Sequence, residues 1–126
     1  MKSFIVAILI GAVMITGCIF YMLRLEEISK TLVEMNEKMI DMVEKEDYKS
    51  AKKIYKRVSD YVEDKHIMLA ATENHDELDQ IEIYLSQVEE YIEEEHKGDA
   101  LAHCESLAIL FKHLPKDYRL KLENIL

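Results

Sequence analysis

Apolar and polar residues alternate along this chain in two regimes. From Phe4 to Leu23 (FIVAILIGAVMITGCIFYML) no position is charged and almost all are apolar; from Leu25 onward, apolar residues recur every three or four positions among charged ones. The first pattern predicts a helix that is hydrophobic all round. At about 1.5 Å per residue such a run spans roughly 30 Å, the thickness of a bilayer's hydrocarbon core. Lys2 precedes it, Arg24 closes it, and Phe20 and Tyr21 suit the interfacial aromatic belt. Residues 1–24 therefore read as a membrane anchor, in contact with the membrane through residues 4–23.

The second pattern predicts helices throughout. Leu25, Ile28, Leu32, Met35, Met39 and Met42 form one stripe along one helix face, widened by Ile40 and Val43. Nothing between Leu23 and Glu27 breaks a helix, so anchor and stripe read as one rod. Asp47 caps a second helix, with Tyr48, Ala51, Tyr55, Val58, Tyr61, Val62 and Leu69 on its stripe, ending near Thr72. Asn74 and Glu77 have capping-box spacing and open a third helix carrying Leu78, Ile81, Leu85, Val88, Tyr91 and Ile92. Asp99, just after Gly98, caps a fourth with Leu101, Cys104, Leu107, Ala108 and Phe111. Pro115 at a first-turn position starts a short last helix with Tyr118, Leu122, Ile125 and Leu126.

A shift of 49 residues superposes Leu32, Met35, Met39, Met42, Val43, Ala51, Tyr55 and Val58 on Ile81, Tyr84, Val88, Tyr91, Ile92, Ala100, Cys104 and Leu107. The acidic hinge Glu44–Asp47 then falls on Glu93–His96. The expected fold is all-α: an N-terminal transmembrane helix, then a four-helix, two-hairpin bundle with a short C-terminal helix. The domain spans 25–126, with hairpins at about 25–72 and 75–113 and the terminal helix at about 115–126. The repeat period is too long for the roughly 34-residue tetratricopeptide unit, and two copies do not make a solenoid.

Charge narrows the partners. Residues 25–126 hold 14 Lys and Arg against 25 Asp and Glu, a net of −11 with His neutral. Such a surface repels nucleic acid phosphates and anionic headgroups, so no nucleic acid partner is expected. The two cysteines, Cys18 in the apolar run and Cys104 in the domain, are placed too differently to form an intrachain disulfide.

Candidate chemistry is sparse. Glu93 and His96 have a spacing that puts two ligands on one helix face, but no second Glu-x-x-His pair completes a bundle metal site, and the pair lies in the hinge. His103 and Cys104 are adjacent, hence about 100° apart around a helix, and do not make a nucleophile and base by themselves. Cys104 falls on the apolar stripe as a small hydrophobe. There is no Gly-rich phosphate loop, no nucleophile elbow and no His-Glu-x-x-His. Neither an enzyme nor a cofactor is expected. Met35, Met39 and Met42 share a face, and Met-rich faces serve adaptable partner binding as well as core filling. Leu25, Ile28, Leu32, Met35, Met39 and Met42 are thus the candidate interaction face, for an unknown protein partner or for self-association.

Two alternatives concern the anchor. Ile15-Thr16-Gly17-Cys18 has the form of a lipobox, which makes Cys18 the candidate lipidation site. Against it, Ile19 to Leu23 carry the apolar run past the cysteine, and an uncleaved single-pass anchor fits better. Lys2, Arg24, Lys30 and Lys38 do not decide the orientation by their count. The short leader before an apolar core resembles an export signal-anchor and places the C-terminal domain outside the cytoplasm, at the cell membrane.

Several segments together resemble a known family: the apolar run ending Ile19-Phe20-Tyr21, Glu46-Asp47-Tyr48-x-x-Ala51, His75-Asp76-Glu77-Leu78-Asp79, His113-Leu114-Pro115, and the closing Leu122-Glu123-Asn124-Ile125-Leu126. Over nearly its whole length the chain is similar to the domain-of-unknown-function family four-three-six-three, small membrane-anchored helical proteins of Gram-positive bacteria. The resemblance implies an N-terminal anchor and an all-helical domain, with no assigned activity. Cys18 is not part of that pattern. The function expected is a non-enzymatic interaction or structural module at the membrane. The alternatives are a ligand-sensing bundle with groups such as His66 or Tyr84 converging on a cavity, or a lipoprotein anchored through Cys18.

Overall fold

The computed structural model describes residues 1–72 and 75–125, with side chains except at Thr72, 117–122 and Ile125. Five helices follow one another: α1 (Lys2–Glu44), α2 (Tyr48–Asp64), α3 (His66–Thr72), α4 (His75–Glu93) and α5 (Lys97–Ile125). The described residues contain no strand. The capping box at Asn74 and the contacts expected of Tyr118, Leu122, Ile125 and Leu126 lie outside what is described.

α1 is one uninterrupted helix whose two halves meet different surroundings. Its apolar N-terminal half is long and apolar enough to cross a membrane, and none of that window is buried. In its C-terminal half Leu25, Ile28, Ser29, Leu32, Asn36, Met39 and Val43 are buried. α1 packs against α5 and α2; α4 packs against α5 and more lightly against α2. The helices thus ring one core, to which Val58, Leu69, Ile81, Leu85, Val88, Ile92, Leu107, Phe111 and Leu114 also contribute. Full burial of such a side chain stabilises the fold by about 1.5–3 kcal/mol.

Matching turns join α1 to α2 and α4 to α5. The Glu46 N–H donates to the Val43 carbonyl at 3.0 Å and the Asp47 N–H to that of Met42 at 2.9 Å. In the second turn Glu95 donates to Ile92 at 3.2 Å and His96 to Tyr91 at 2.9 Å. Both are Schellman closures, and both put a glutamate in the left-handed region, Glu46 at φ 59° and Glu95 at φ 58°. The same motif recurs at the offset by which the apolar stripes superpose. Just past each turn a fully buried alanine, Ala51 or Ala100, sits in the core. Asp47 caps α2 by accepting the Ser50 N–H at 3.2 Å. Hydrogen bonds from Ser50, its side chain first and its backbone second, hold the Asp47 carboxyl below the usual aspartate value.

Three boundaries differ from the sequence reading. The second helix does not run unbroken to Thr72 but turns at Lys65, beyond which α3 begins. The backbone bonds survive the bend: Lys65 donates to Tyr61 at 3.1 Å and Leu69 to Lys65 at 2.9 Å. α5 starts at Lys97, with the His96 carbonyl accepting from Ala100 at 3.0 Å; Asp99 lies inside the first turn, where its charge faces the positive end of the helix dipole. Pro115 does not start a helix. It lies within α5, which continues to Ile125. Proline has no N–H to give the carbonyl four residues back, here that of Phe111. The Ser29 hydroxyl of α1, itself buried, donates to that carbonyl at 2.6 Å and takes the place of the missing amide.

This substitution of donors is testable by a double-mutant cycle. Ser29→Ala should destabilise the protein by about 1–3 kcal/mol, because it strands a buried carbonyl. In a Pro115→Ala background, where an amide again faces that carbonyl, the same change should cost clearly less; equal costs in thermal melts of the full-length protein would reject the pairing. The two turns yield a second expectation. Glu46→Gly and Glu95→Gly should each raise the melting temperature, since a non-glycine residue in the left-handed region carries roughly 1 kcal/mol of strain.

Candidate functional site

An open groove lies where α2 and α4 meet lightly. One part of this open groove, about 420 Å³, is lined by Tyr55, Ser59, Val62, Glu63, His66, Glu82, Leu85, Ser86 and Glu89. A neighbouring part of about 490 Å³ adds the basic ridge Lys49, Lys52, Lys53 and Lys56. Tyr55, Ser59 and Glu89 line both parts.

Helical spacing builds each wall. On α2, Lys52, Tyr55, Ser59 and Val62 follow one another at three- and four-residue steps; on α4, Glu82, Ser86, Glu89 and Glu93 do the same. The floor is apolar where Val62 and Leu85 enter the core. Two polar pairs bridge these walls, Lys52 Nζ with Glu93 Oε1 and the Tyr55 hydroxyl donating to Glu89 Oε2 at 3.1 Å, and a third joins α3 to α4, His66 Nδ1 lying 3.7 Å from Glu82 Oε1. The carboxylate beside Lys52 raises the lysine's pKa, and the lysine lowers that of Glu93, so both ends of the pair stay charged. Burial first, then the Glu89 charge, pushes the Tyr55 phenol up to about 12. Its hydroxyl is therefore a hydrogen-bond donor through the neutral range. The groove presents hydroxyls, carboxylates and an imidazole over an apolar floor, while no group of three metal-ligating side chains occurs among the described residues.

The residues singled out from the sequence fall in separate places. Of the candidate interaction face, Leu25, Ile28, Leu32 and Met39 are almost wholly buried in the chain's own core, and Met35 and Met42 are half-buried at its edge. α2 and α5 pack against α1 from either side, which leaves Met35 and Met42 as the partly exposed members of the face. Cys18 lies half-buried within α1, which runs through it without a break. Glu93 and His96 do not converge, because α4 ends at Glu93 and the left-handed Glu95 turns the chain; Glu93 pairs with Lys52, and His96 lies 3.5 Å from Glu94. His66 lines the groove, whereas Tyr84 packs against His103 on the α4–α5 seam at 5.7 Å between ring centroids. His103 also meets Tyr91 at 5.0 Å, and its Nδ1 lies 2.8 Å from the Asp99 carbonyl. Cys104 points inward, and burial pushes its thiol up to about 12.

Two polar residues of the α1 stripe are absent from the sequence reading. Besides Ser29, Asn36 is fully buried and donates from Nδ2 to the Cys104 carbonyl at 2.9 Å, while its Oδ1 has no hydrogen-bond partner among the described residues. The available signal was position: Asn36 lies four residues after Leu32 and three before Met39, inside the apolar stripe.

Comparison with known proteins adds one match. A family model described as Domain of unknown function (DUF4363) matches residues 19–125, from the last turns of the apolar run through α5. No curated protein and no solved structure matches the chain.

The Tyr55–Glu89 pair predicts a pH dependence. A phenol whose pKa is raised on folding stabilises the folded state below its ordinary value of 10.0 and loses that contribution as the pH rises toward about 12. Phenolate absorbance of the folded protein should show a late-ionising tyrosine that Tyr55→Phe lacks. An unchanged late phase in the variant would reject the assignment.

Proposed function

The chain belongs to the family described as Domain of unknown function (DUF4363), and we propose that it is a single-pass membrane protein whose acidic helical domain serves as a non-enzymatic interaction or structural module held at the membrane. The observation that carries this reading is α1. One unbroken helix is both the uncovered apolar segment and a wall of the domain's core. A domain built that way is fixed at a set height and angle to its anchor, which suits a module that meets a partner beside the membrane. We read the domain as two hairpins, a reading supported by the paired Schellman turns, and propose that it lies outside the cytoplasm. The partner is a protein or a second copy of the chain. We propose that it meets the α2–α4 groove, a concave surface, rather than the mostly buried Leu25–Met42 stripe.

A second reading is a ligand-sensing bundle. The groove favours it, because His66, Tyr55 and two serines converge there over an apolar floor. Lipidation at Cys18 would change the anchor and leave either reading of the domain intact.

The test is brief crosslinking in the native membrane followed by recovery of the full-length protein through a tag at Leu126. One stoichiometric partner, or a defined homo-oligomer, is expected. Recovery of uncrosslinked protein alone, together with a small molecule that raises the melting temperature, would overturn the module reading in favour of the sensor. Added protease on intact cells should remove the domain; full protection would reverse the orientation.

A further inference from the structure

α3 is a short helix in an otherwise long-helix protein, packed between α2 and α4, and it also touches the apolar run. The Tyr21 hydroxyl, two residues before the end of that run, donates to the backbone carbonyl of Met68 in α3. Tyr21 is half-buried and packs against the core together with Met68. The domain's lower end therefore overlaps the last turn of the apolar run. If residues 4–23 fill the hydrocarbon core, Tyr21 lies within one helical turn, about 5 Å, of its edge. Whatever touches Tyr21 then sits at headgroup level.

α3 is suited to that level. Between Lys65 and Glu73 the chain carries no Asp, Glu, Lys or Arg. Leu69 turns into the core, while Ile67 is 86 % exposed. Beyond the apolar run, the described residues expose only two other large hydrophobics, Ile83 at 54 % and Ile109 at 58 %. Ile67 is thus the most exposed of the three and belongs to the element that touches the anchor. An isolated isoleucine so exposed is ordinary on a soluble surface. Its coincidence with the Tyr21 contact separates it from the other two.

We propose that α3 is a membrane-interface foot of the domain, with Ile67 seated in the lipid headgroup and upper acyl layer of the bilayer crossed by α1. The proposal rests on the single-pass reading of α1. It makes the lipid surface a second attachment point, about which the acidic domain is held although its net charge is repelled by anionic headgroups.

The chain contains no tryptophan, so single-tryptophan reporters are clean. Full-length Ile67→Trp, Ile83→Trp and Ile10→Trp are reconstituted in phosphatidylcholine vesicles with and without bromine on the acyl chains. Circular dichroism checks that each remains helical. Ile10→Trp should be strongly quenched, reporting the anchor. Ile67→Trp should lose about half its emission or more, as expected for a side chain in the interfacial layer, and Ile83→Trp should change by less than about a tenth. Quenching at Ile10→Trp with none at Ile67→Trp overturns the foot and leaves the anchor standing. Equal quenching at Ile67→Trp and Ile83→Trp also overturns it, since a tryptophan anywhere on the surface would then seek the interface. No quenching at Ile10→Trp overturns the anchor and the foot together.

Discussion

The structure turns on one carbonyl. Pro115 leaves the Phe111 oxygen in α5 without its amide, deep in the core, where an unpaired acceptor would be costly. The Ser29 hydroxyl on α1 supplies the donor. A local defect in one helix is thereby repaired by another 82 residues away in sequence. The repair fixes the axial register of α1 against α5, because only one level of α1 offers a hydroxyl to that oxygen. Seven residues up α1 and seven down α5, Asn36 donates to the Cys104 carbonyl and fixes the same register again. Apolar contacts tolerate sliding and rotation more readily than two directed bonds do, so the serine and asparagine specify what the leucines and methionines only stabilise.

With α1 and α5 in register, the remaining elements have little freedom. The two Schellman turns reverse the chain at the end of the domain far from the apolar run and return α2 and α5 alongside α1 and α4. Close packing past each turn is secured by Ala51 and Ala100, where a larger side chain would force the helices apart. The polar pairs that α2 and α3 make with α4 lie outside this frame. Their side chains are mostly exposed and belong to a seam with less apolar contact, where ion pairs contribute little to stability. The groove is therefore the place where the surface can change with least consequence for the fold.

The helical class, the long apolar N-terminal helix, its continuity with the first domain helix, and the acidic hinges at 44–47 and 93–96 were legible from the sequence pattern, because they follow from local pattern alone. The polar members of α1's inner face were not. A stripe drawn only through hydrophobic residues passed through Met35 and Met42 and skipped Ser29 and Asn36, whose burial depends on acceptors contributed by α5. Pro115 was misread for the same reason. A proline within a helix normally ends or kinks it, and the partner that rescues this one is remote in sequence. Lys65 carries no breaker residue, so the α2–α3 bend gave no signal. The groove pairs were also hidden, because each needs the spacing of two helices that meet in space but are far apart in sequence.

The unbroken course of α1 has a mechanical consequence. Any swivel between a membrane span and its domain requires a joint, and between Leu23 and Leu25 there is none. For a helix that crosses a bilayer, tilt in the lipid is passed on undiminished. A tilt of about 20° would carry the far end of α1, roughly 30 Å above Arg24, sideways by about 10 Å. The turns at that end would trace the local thickness and curvature of the membrane as a pointer does, and a partner gripping them would feel the bilayer through the protein.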